Sequence, residues 1–224
     1  METAVFCKGI TKVFGEGATR VDALKGIDLE MRPGELLMIV GPSGSGKTTL
    51  ISILAGILDQ TEGECCVLDC NLKEMRNAEL TRFRGKHIGF VFQAFNLIPM
   101  LTATENVAIP LLLAGMKDEE ALQMAREILV RYGLEDKLDV LPGSLSGGQQ
   151  QRVAIARSCI HGPNLIVCDE PTSSLDHETG VKVMELFRHE VLEKNRALII
   201  VTHDARIFSY ADRIINLDDG KIVP

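Results

Sequence analysis

The sequence lacks a long apolar run. Its longest candidates, at residues 109–114 and 198–201, are far shorter than the roughly 18–20 apolar residues that a membrane-spanning helix needs. The first residues, METAVF, also lack the basic start and apolar stretch of a secretory signal peptide. We therefore expect a cytosolic chain, unless a partner holds it at a membrane.

Positive charge is also scarce. The chain has 24 lysines and arginines against 31 aspartates and glutamates, with a net charge of −7 and a pI near 5.3. Proteins that bind nucleic acid usually present a basic surface to its phosphates. We therefore expect no nucleic acid among the partners of this chain.

The six cysteines lack the spacing of a zinc site. Cys65, Cys66 and Cys70 lie close together, but they have neither paired C-x-x-C spacing nor histidine partners. We interpret the cysteines as small apolar residues in strands of a protein from a reducing compartment.

The distribution of apolar residues indicates one α/β domain, and 224 residues suffice for one substantial core. Ile27, Leu29 and Met31 alternate with polar residues, which is typical of a half-buried strand. Residues 165–168 and 197–201 are apolar throughout, as expected for strands that are buried on both faces of a sheet.

The segment from about residue 93 to residue 161 has a helical pattern instead. Asp118 is expected to cap a helix whose first turn is acidic, and an apolar face follows at Leu122, Ala125, Ile128 and Leu129. The pattern predicts a helical insertion in a three-layer α/β core.

Residues 41–48 read GPSGSGKT and match the phosphate-loop pattern G-x-x-x-x-G-K-[ST]. An apolar strand precedes this phosphate loop and an apolar helical pattern follows it, which is the context that the motif requires. Glycines let the backbone amides point at a polyphosphate, and the following helix presents its positive end. We expect nucleotide contacts from Gly41, Pro42, Ser43, Gly44, Ser45, Gly46, Lys47, Thr48 and Thr49.

A second candidate anion site lies at residues 145–149, LSGGQ, which we call the signature segment. Ser146 can cap the helix that begins here, while Gly147 and Gly148 expose its first amides. Taken alone, the segment could be a simple serine-capped helix after a loop. Two phosphate-binding helix starts in one chain suggest that a nucleotide is sandwiched between two copies.

The order of the motifs resembles that of the nucleotide-binding subunits of ABC transporters. After the phosphate loop come Gln93, the signature segment, an apolar strand that ends in Asp169 and Glu170, Ser174-Leu175-Asp176, and His203. The resemblance covers nearly the whole chain. It implies a P-loop NTPase fold with N-terminal antiparallel strands and a helical subdomain, in one domain of residues 1–224 with a core of about 1–92 and 162–224.

The resemblance also implies roles for single residues. Glu170 would be the general base, His203 would contact the γ-phosphate, and Gln93 would report the nucleotide state to the insertion. Mg²⁺ would be held by Thr48, Gln93 and, through water, Asp169. The signature residues Ser146, Gly147, Gly148 and Gln149 would contact ATP across a dimer.

For Asp176 and Phe14, the sequence leaves two possible roles open. Asp176 resembles the D-loop aspartate that crosses the dimer interface, but it could equally cap a helix that starts near His177. Phe14 occupies the place of the aromatic ring that stacks on adenine, where tyrosine is more usual, and it could also be a core residue.

The resemblance further implies a homodimer on ATP binding and a separate integral membrane permease, with the chain at the cytoplasmic face of the inner membrane. Residues 94–106 and 108–113 resemble the lipoprotein-releasing, macrolide-exporting and heterocyst-glycolipid-exporting group, which suggests an exporter with a periplasmic adaptor reached through the permease. The alternative is an amino-acid or ion importer.

DNA-repair and chromosome-organising ATPases share these motifs, but they carry a long coiled coil, and no sustained heptads separate Lys47 from Ser146 here.

Overall fold

The computed structural model describes residues 3–173 and 175–223, and the side chains of all of these except 190–194. Its strands are β1 (Val5–Phe14), β2 (Val21–Met31), β3 (Leu36–Val40), β4 (Glu62–Val67), β5 (Cys70–Asn71), β6 (Ile88–Val91), β7 (Leu165–Asp169), β8 (Ala197–Val201), β9 (Arg213–Asp218) and β10 (Lys221–Val223). Its α-helices are α1 (Lys47–Leu54), α2 (Asn77–His87), α3 (Ala103–Leu113), α4 (Asp118–Arg131), α5 (Gly147–Cys159) and α6 (His177–Lys194).

The N-terminal strands form an antiparallel sheet in the order β2-β1-β4-β5. In β2, the predicted alternation is confirmed, because Ile27, Leu29 and Met31 are buried while their neighbours are exposed. β1 and β2 pair along their whole length, from Val5 opposite Met31 to Phe14 opposite Val21.

The second sheet has the order β10-β9-β3-β8-β7-β6, and every pair except β9–β10 is parallel. Each of β3, β7 and β8 is buried at every position. Alternate residues enter two different cores: Met38 packs with α3 to α6 on one face, and Leu37 packs with α1 and the antiparallel sheet on the other. The fold class predicted from the sequence, a three-layer α/β core, is confirmed, and burial on both faces explains the uniformly apolar strands.

The helices α3, α4 and α5 lie between residues 103 and 159. In α4 the predicted face is buried at Ala125, Ile128 and Leu129, whereas Leu122 is only partly buried. Asp118 is not the cap of α4, because Lys117 occupies the N-cap position and Asp118 begins the helix. We propose that residues 93–161 form the helical subdomain and the remainder the core of a single domain.

The topology brings four loops to one edge of the parallel sheet. The phosphate loop follows β3, Glu170 follows β7, His203 lies just after β8, and Gln93 lies just after β6. Ligands of open α/β sheets bind at the carboxyl ends of the strands.

Among the helices of the described residues, none has both the length and the apolar character that crossing a membrane requires.

Candidate nucleotide-binding site

A cleft of about 630 Å³ lies at this edge of the sheet. It brings together most of the predicted nucleotide, catalytic and metal residues, namely Gly41, Ser43, Gly44, Gly46, Lys47, Thr48, Thr49, Gln93, Asp169, Glu170 and His203. Residues that are far apart in the chain thus surround one space, large enough for a small ligand.

The Lys47 side chain and the conformation of Gly46 shape the phosphate loop. The Lys47 ammonium donates to the carbonyl oxygens of Gly41 and Pro42, each at 2.8 Å. Gly46 has a left-handed φ of +101° and is the N-cap of α1, and a Cβ there would lie 2.5 Å from the carbonyl oxygen of Ala23. Glycine at this position therefore permits the close turn that starts α1, and the free amides of the first helical turn suit an anion.

Oxygen donors suited to a magnesium ion line the same cleft. The Thr48 hydroxyl donates to Oδ2 of Asp169 at 3.0 Å, and the exposed Gln93 lines the cleft with them. Burial raises the pKa of Asp169, and the hydrogen bond from Thr48 opposes that effect. A hydroxyl, an amide and a carboxylate are ligands that Mg²⁺ accepts, so these residues fit the ion.

Glu170 and His203 form a close pair across the loops that follow β7 and β8. Nδ1 of His203 lies 2.7 Å from Oε1 of Glu170, and this geometry requires Nδ1 to carry the proton when the carboxylate is ionised. The Glu170 side chain is only 10% exposed while that of His203 is 72% exposed. The second carboxylate oxygen of Glu170 is buried and has no hydrogen-bond partner among the described residues. An unpaired buried acceptor beside a cleft is a feature of reactive sites.

The backbone at Glu170 is also unusual, because its φ of +53° is in the left-handed region. Its amide donates to the carbonyl oxygen of Val201 at 2.9 Å, which continues the pairing of β7 and β8 by one residue. Such a conformation is costly for a residue other than glycine and is commonest at functional sites.

A second hydrogen bond, between Thr172 and Asp204, also connects the loops that follow β7 and β8. The Thr172 hydroxyl donates to Oδ2 of Asp204 at 3.0 Å, and Arg206 donates to both carboxylate oxygens at 2.7 Å. These bonds, chiefly those from Arg206, lower the pKa of Asp204 to about 2. Sequence reasoning missed this connection, since an aspartate after a histidine carries no spacing signal of its own.

The signature segment lies apart from this cleft, since none of its residues lines it. Ser146 caps α5: its hydroxyl accepts from the amide of Gln149 at 3.3 Å, while the Gln149 side chain accepts from the Ser146 amide at 2.9 Å. Ser146 and Gly147 are exposed, and Gly148 and Gln149 are partly exposed. The start of α5 is therefore capped and accessible from outside the chain.

Asp176 caps α6, as one of the two interpretations expected. Its carboxylate accepts from the Thr179 amide at 3.0 Å and from the Thr179 hydroxyl at 2.7 Å, and these bonds lower its pKa. Ser174, which belongs to the same predicted loop, lies outside the described residues.

Three predicted nucleotide contacts do not line the cleft. Pro42 and Ser45 belong to the phosphate loop but are not among the residues that line the cleft, and Ser45 is buried with no partner for its hydroxyl among the described residues. Phe14 is 40% exposed, and the Lys12 ammonium lies 5.1 Å from the centre of its ring. Its strand partner Val21 does line the cleft, so Phe14 is at the margin of the site.

Several lining residues were not predicted: Val21, Asp22, Ala23, Val201, Asp219 and Gly220. They come from β2, β8 and the β9–β10 turn, where no motif marks them. The Gly220 amide donates to the carbonyl oxygen of Ser45 at 3.0 Å, so this turn supports the phosphate loop. Only the folded arrangement could reveal them.

Comparison with known proteins identifies the family. A profile of the ABC transporter family matches residues 24–173. The chain is 44% identical over 221 residues to HrtA of Staphylococcus aureus, strains MRSA252 and N315 among others, a protein named as a hemin import ATP-binding protein; the match covers 98% of this chain and 99% of HrtA.

Two solved structures of the ATP-binding cassette MJ0796 have the same fold. One, a dimer in a post-hydrolysis state bound to ADP and Pi, superposes with a TM-score of 0.94 at 42% identity and covers 98% of this chain and 97% of that one. The other, also dimeric, superposes with a TM-score of 0.94 at 41% identity over the same shares. The chain therefore belongs to the ABC transporter family and is an ATP-binding subunit that couples ATP hydrolysis to transport.

Proposed function

We propose that two copies of this chain bind two Mg-ATP molecules head to tail, each between the phosphate loop of one copy and the signature segment of the other. The observation that carries the proposal is the cleft, where Lys47, Asp169 and Glu170 converge while Ser146 does not line it. The dimeric MJ0796 structures support it, because they are similar to this chain over nearly its whole length.

In this proposal the phosphate loop and the start of α1 hold the polyphosphate, and Lys47 exchanges its two carbonyl acceptors for phosphate oxygens. Thr48, Gln93 and Asp169 would hold Mg²⁺, Asp169 through water. A bound magnesium ion would neutralise charge on the β- and γ-phosphates. The rings of Phe14 and adenine stack at the margin of the cleft.

Glu170 accepts the proton of the attacking water, and the water oxygen bonds to the γ-phosphorus as the bond to the bridging oxygen breaks. Its position supports this role, because Glu170 lines the cleft and its Oε2 has no hydrogen-bond partner among the described residues. His203 holds the other carboxylate oxygen at 2.7 Å and is exposed enough to contact the γ-phosphate.

We further propose that the dimer acts on a separate membrane permease at the cytoplasmic face of the membrane. Residues 94–113 support this, since Ile98 and Leu113 are exposed there and Met100 is 87% exposed. Exposed apolar side chains in such a segment suit a partner helix. The resemblance of this segment to the lipoprotein-releasing and macrolide-exporting group favours an exporter with a periplasmic adaptor.

The alternative is an importer, which the name of the Staphylococcus relative favours because it describes hemin import. The two directions differ in their partners. An exporter of the favoured group needs a four-helix permease with a large periplasmic domain, whereas an importer of amino acids or ions needs a permease accompanied by a substrate-binding protein.

Co-purification of the tagged full chain from detergent-solubilised membranes of its own cell tests both parts. A four-helix permease with a large periplasmic domain, recovered with a subunit that hydrolyses Mg-ATP, is the expected result. A permease recovered together with a substrate-binding protein would overturn the exporter assignment, and failure of the complex to hydrolyse ATP would overturn the catalytic proposal.

A further inference from the structure

The segment that follows Gln93 has an unusual backbone. Phe95 and Asn96 both have left-handed conformations, with φ of +59° and +49°. Two successive residues other than glycine rarely adopt this conformation unless the surrounding structure holds them there. We therefore expect contacts elsewhere in the chain that hold Phe95 and Asn96 in this conformation.

Arg157, on α5, supplies these contacts. Its Nη1 donates to the carbonyl oxygen of Asn96 at 2.7 Å, and its Nη2 donates to that of Phe95 at 2.8 Å. The planar guanidinium presents two parallel donors in a fixed fork, which matches two neighbouring carbonyls. Arg157 is partly buried, and this burial lowers the pKa of its guanidinium. A lysine there could not hold both carbonyls in the same geometry.

A second anchor lies a few residues further along. Asn106, on α3, is fully buried, and its side-chain oxygen accepts from the Ile98 amide at 2.7 Å. Its side-chain nitrogen lies within hydrogen-bond distance of the carbonyl oxygens of Ile98, Leu101 and Thr102, at 3.1, 2.8 and 3.0 Å. The segment 95–102 is therefore fixed to the helices at both ends, while Gln93 just before it lines the nucleotide cleft.

The helix that carries Arg157 is the helix that Ser146 caps. A movement of α5 therefore moves the carbonyls of residues 95 and 96 with it, and these lie two and three residues from Gln93. We propose that Arg157 is a positioning residue that couples Gln93 to the signature helix. The coupling rests on the proposed function, because Gln93 and Ser146 contact the two nucleotides only in the ATP-bound dimer.

The chain offers a matched control on the same helix. Nη1 of Arg152 donates to the carbonyl oxygens of Tyr132 and Gly133, at 2.9 and 3.0 Å. Arg152 thus holds two successive carbonyls of a loop as Arg157 does, but that loop follows α4 and does not line the nucleotide cleft. Loss of general packing on α5 would affect both arginines, whereas loss of the coupling would affect Arg157 alone.

The test compares Arg157→Lys and Arg157→Gln with Arg152→Lys and Arg152→Gln in the full chain. Amide hydrogen exchange over residues 94–102 and the kcat and KM for Mg-ATP are measured for each. We expect both Arg157 variants to raise exchange over 94–102 about tenfold and to lower kcat about tenfold, with KM changed less than about threefold, because charged hydrogen bonds are lost. The Arg152 variants should raise exchange only near residues 132–134 and leave kcat within about threefold.

Unchanged exchange over residues 94–102 in the Arg157 variants would overturn the proposal, and so would an equal loss of kcat in the Arg152 variants. If the Arg157 variants do not fold, amide hydrogen exchange is measured in the wild-type chain without nucleotide instead. Protection of the amides of residues 94–102 comparable to that of α3 supports the proposal. Exchange of these amides at the rate of an unstructured chain overturns it. A wild-type chain that hydrolyses no ATP would contradict the proposed function, whereas the exchange measurements would still test the anchoring by Arg157.

Discussion

Among single side chains, Glu170 has the most specific environment. It is nearly buried, has a left-handed backbone, and binds His203 through one oxygen while the other has no partner among the described residues. These features agree with a base that acts on a water in the cleft.

Replacing Glu170 with glutamine should lower kcat for ATP hydrolysis by about 10²–10⁴-fold, because the amide cannot accept the proton of the attacking water. ATP binding, measured by equilibrium titration with a fluorescent ATP analogue, should change little. The control is Glu127→Gln, an exposed position on α4, which should keep the wild-type rate. Hydrolysis by Glu170→Gln within tenfold of wild type would show that another group is the base.

Phe14→Ala should weaken binding of both ATP and GTP by about 1–3 kcal/mol, because ring stacking depends little on the identity of the base. Phe14→Tyr should retain the affinity. Phe6→Ala is the matched control, since Phe6 lies on the same strand and is 37% exposed, close to the value for Phe14. Equal effects at both phenylalanines, measured by the same titration, would argue that Phe14 acts through the sheet rather than on the base.

The lowered pKa of Asp204 predicts that its carboxylate contributes to the free energy of unfolding in a way that depends on pH. Its pKa is lowered to about 2, so its contribution is present above the ordinary aspartate value near 4 and is lost as the pH falls towards 2. Between pH 5 and pH 3, urea unfolding should lose about 1 kcal/mol more in the wild type than in Asp204→Asn. Arg206→Gln should remove most of the same difference, and an unchanged pH dependence in both variants would contradict the assignment.

At the scale of secondary structure, α3 and α5 offer a direct comparison of caps. Ser146 and Thr102 each form a capping box, with Gln149 and Glu105 as the reciprocal partners. Replacement of either by alanine should cost about 1 kcal/mol of stability. Only Ser146→Ala should also lower ATP turnover, by about tenfold or more, because in the proposed dimer it would remove a hydrogen bond to a phosphate of the nucleotide bound by the other copy.

Thermal unfolding and steady-state hydrolysis of the two variants check this prediction. Similar losses of unfolding temperature with turnover reduced only in Ser146→Ala would support a role of the signature segment in catalysis. Turnover reduced equally in Thr102→Ala would mean that the effect comes from helix stability alone.

The elements that the sequence predicted well are those with a strong apolar pattern. β7 and β8 could be predicted because they are buried on both faces, and β2 because its residues alternate. The helix α2 was missed, since residues 72–87 contain no periodic apolar face and α2 buries none of its residues. His87 is the last residue of α2, and β6 begins at Ile88.

The site was predictable to a similar extent. Lys47 and Thr48 belong to a motif whose residue types follow from phosphate chemistry, so the sequence located them. Asp219 and Gly220 line the same cleft through a turn that only the position of β9 beside β3 brings there. The contacts of Arg157 could not be predicted from the sequence either, because they depend on the left-handed backbone conformations of Phe95 and Asn96.

At the scale of the whole molecule, the chain places its two candidate anion sites apart. The phosphate loop lies in the cleft at the edge of the parallel sheet, and the capped start of α5 is exposed elsewhere. One chain therefore cannot enclose a nucleotide between them unless its helices rearrange, whereas two chains arranged head to tail can enclose two. In the proposed dimer, hydrolysis of the nucleotides between the two copies would separate the copies and drive a membrane partner.

The most direct measurement is the mass of Glu170→Gln in solution by light scattering, with and without Mg-ATP. We expect a monomer of about 24.5 kDa without nucleotide and a species of twice that mass with saturating Mg-ATP, because slow hydrolysis leaves the nucleotides in place between the copies. A variant that binds ATP at saturation and still has the mass of a monomer would contradict it.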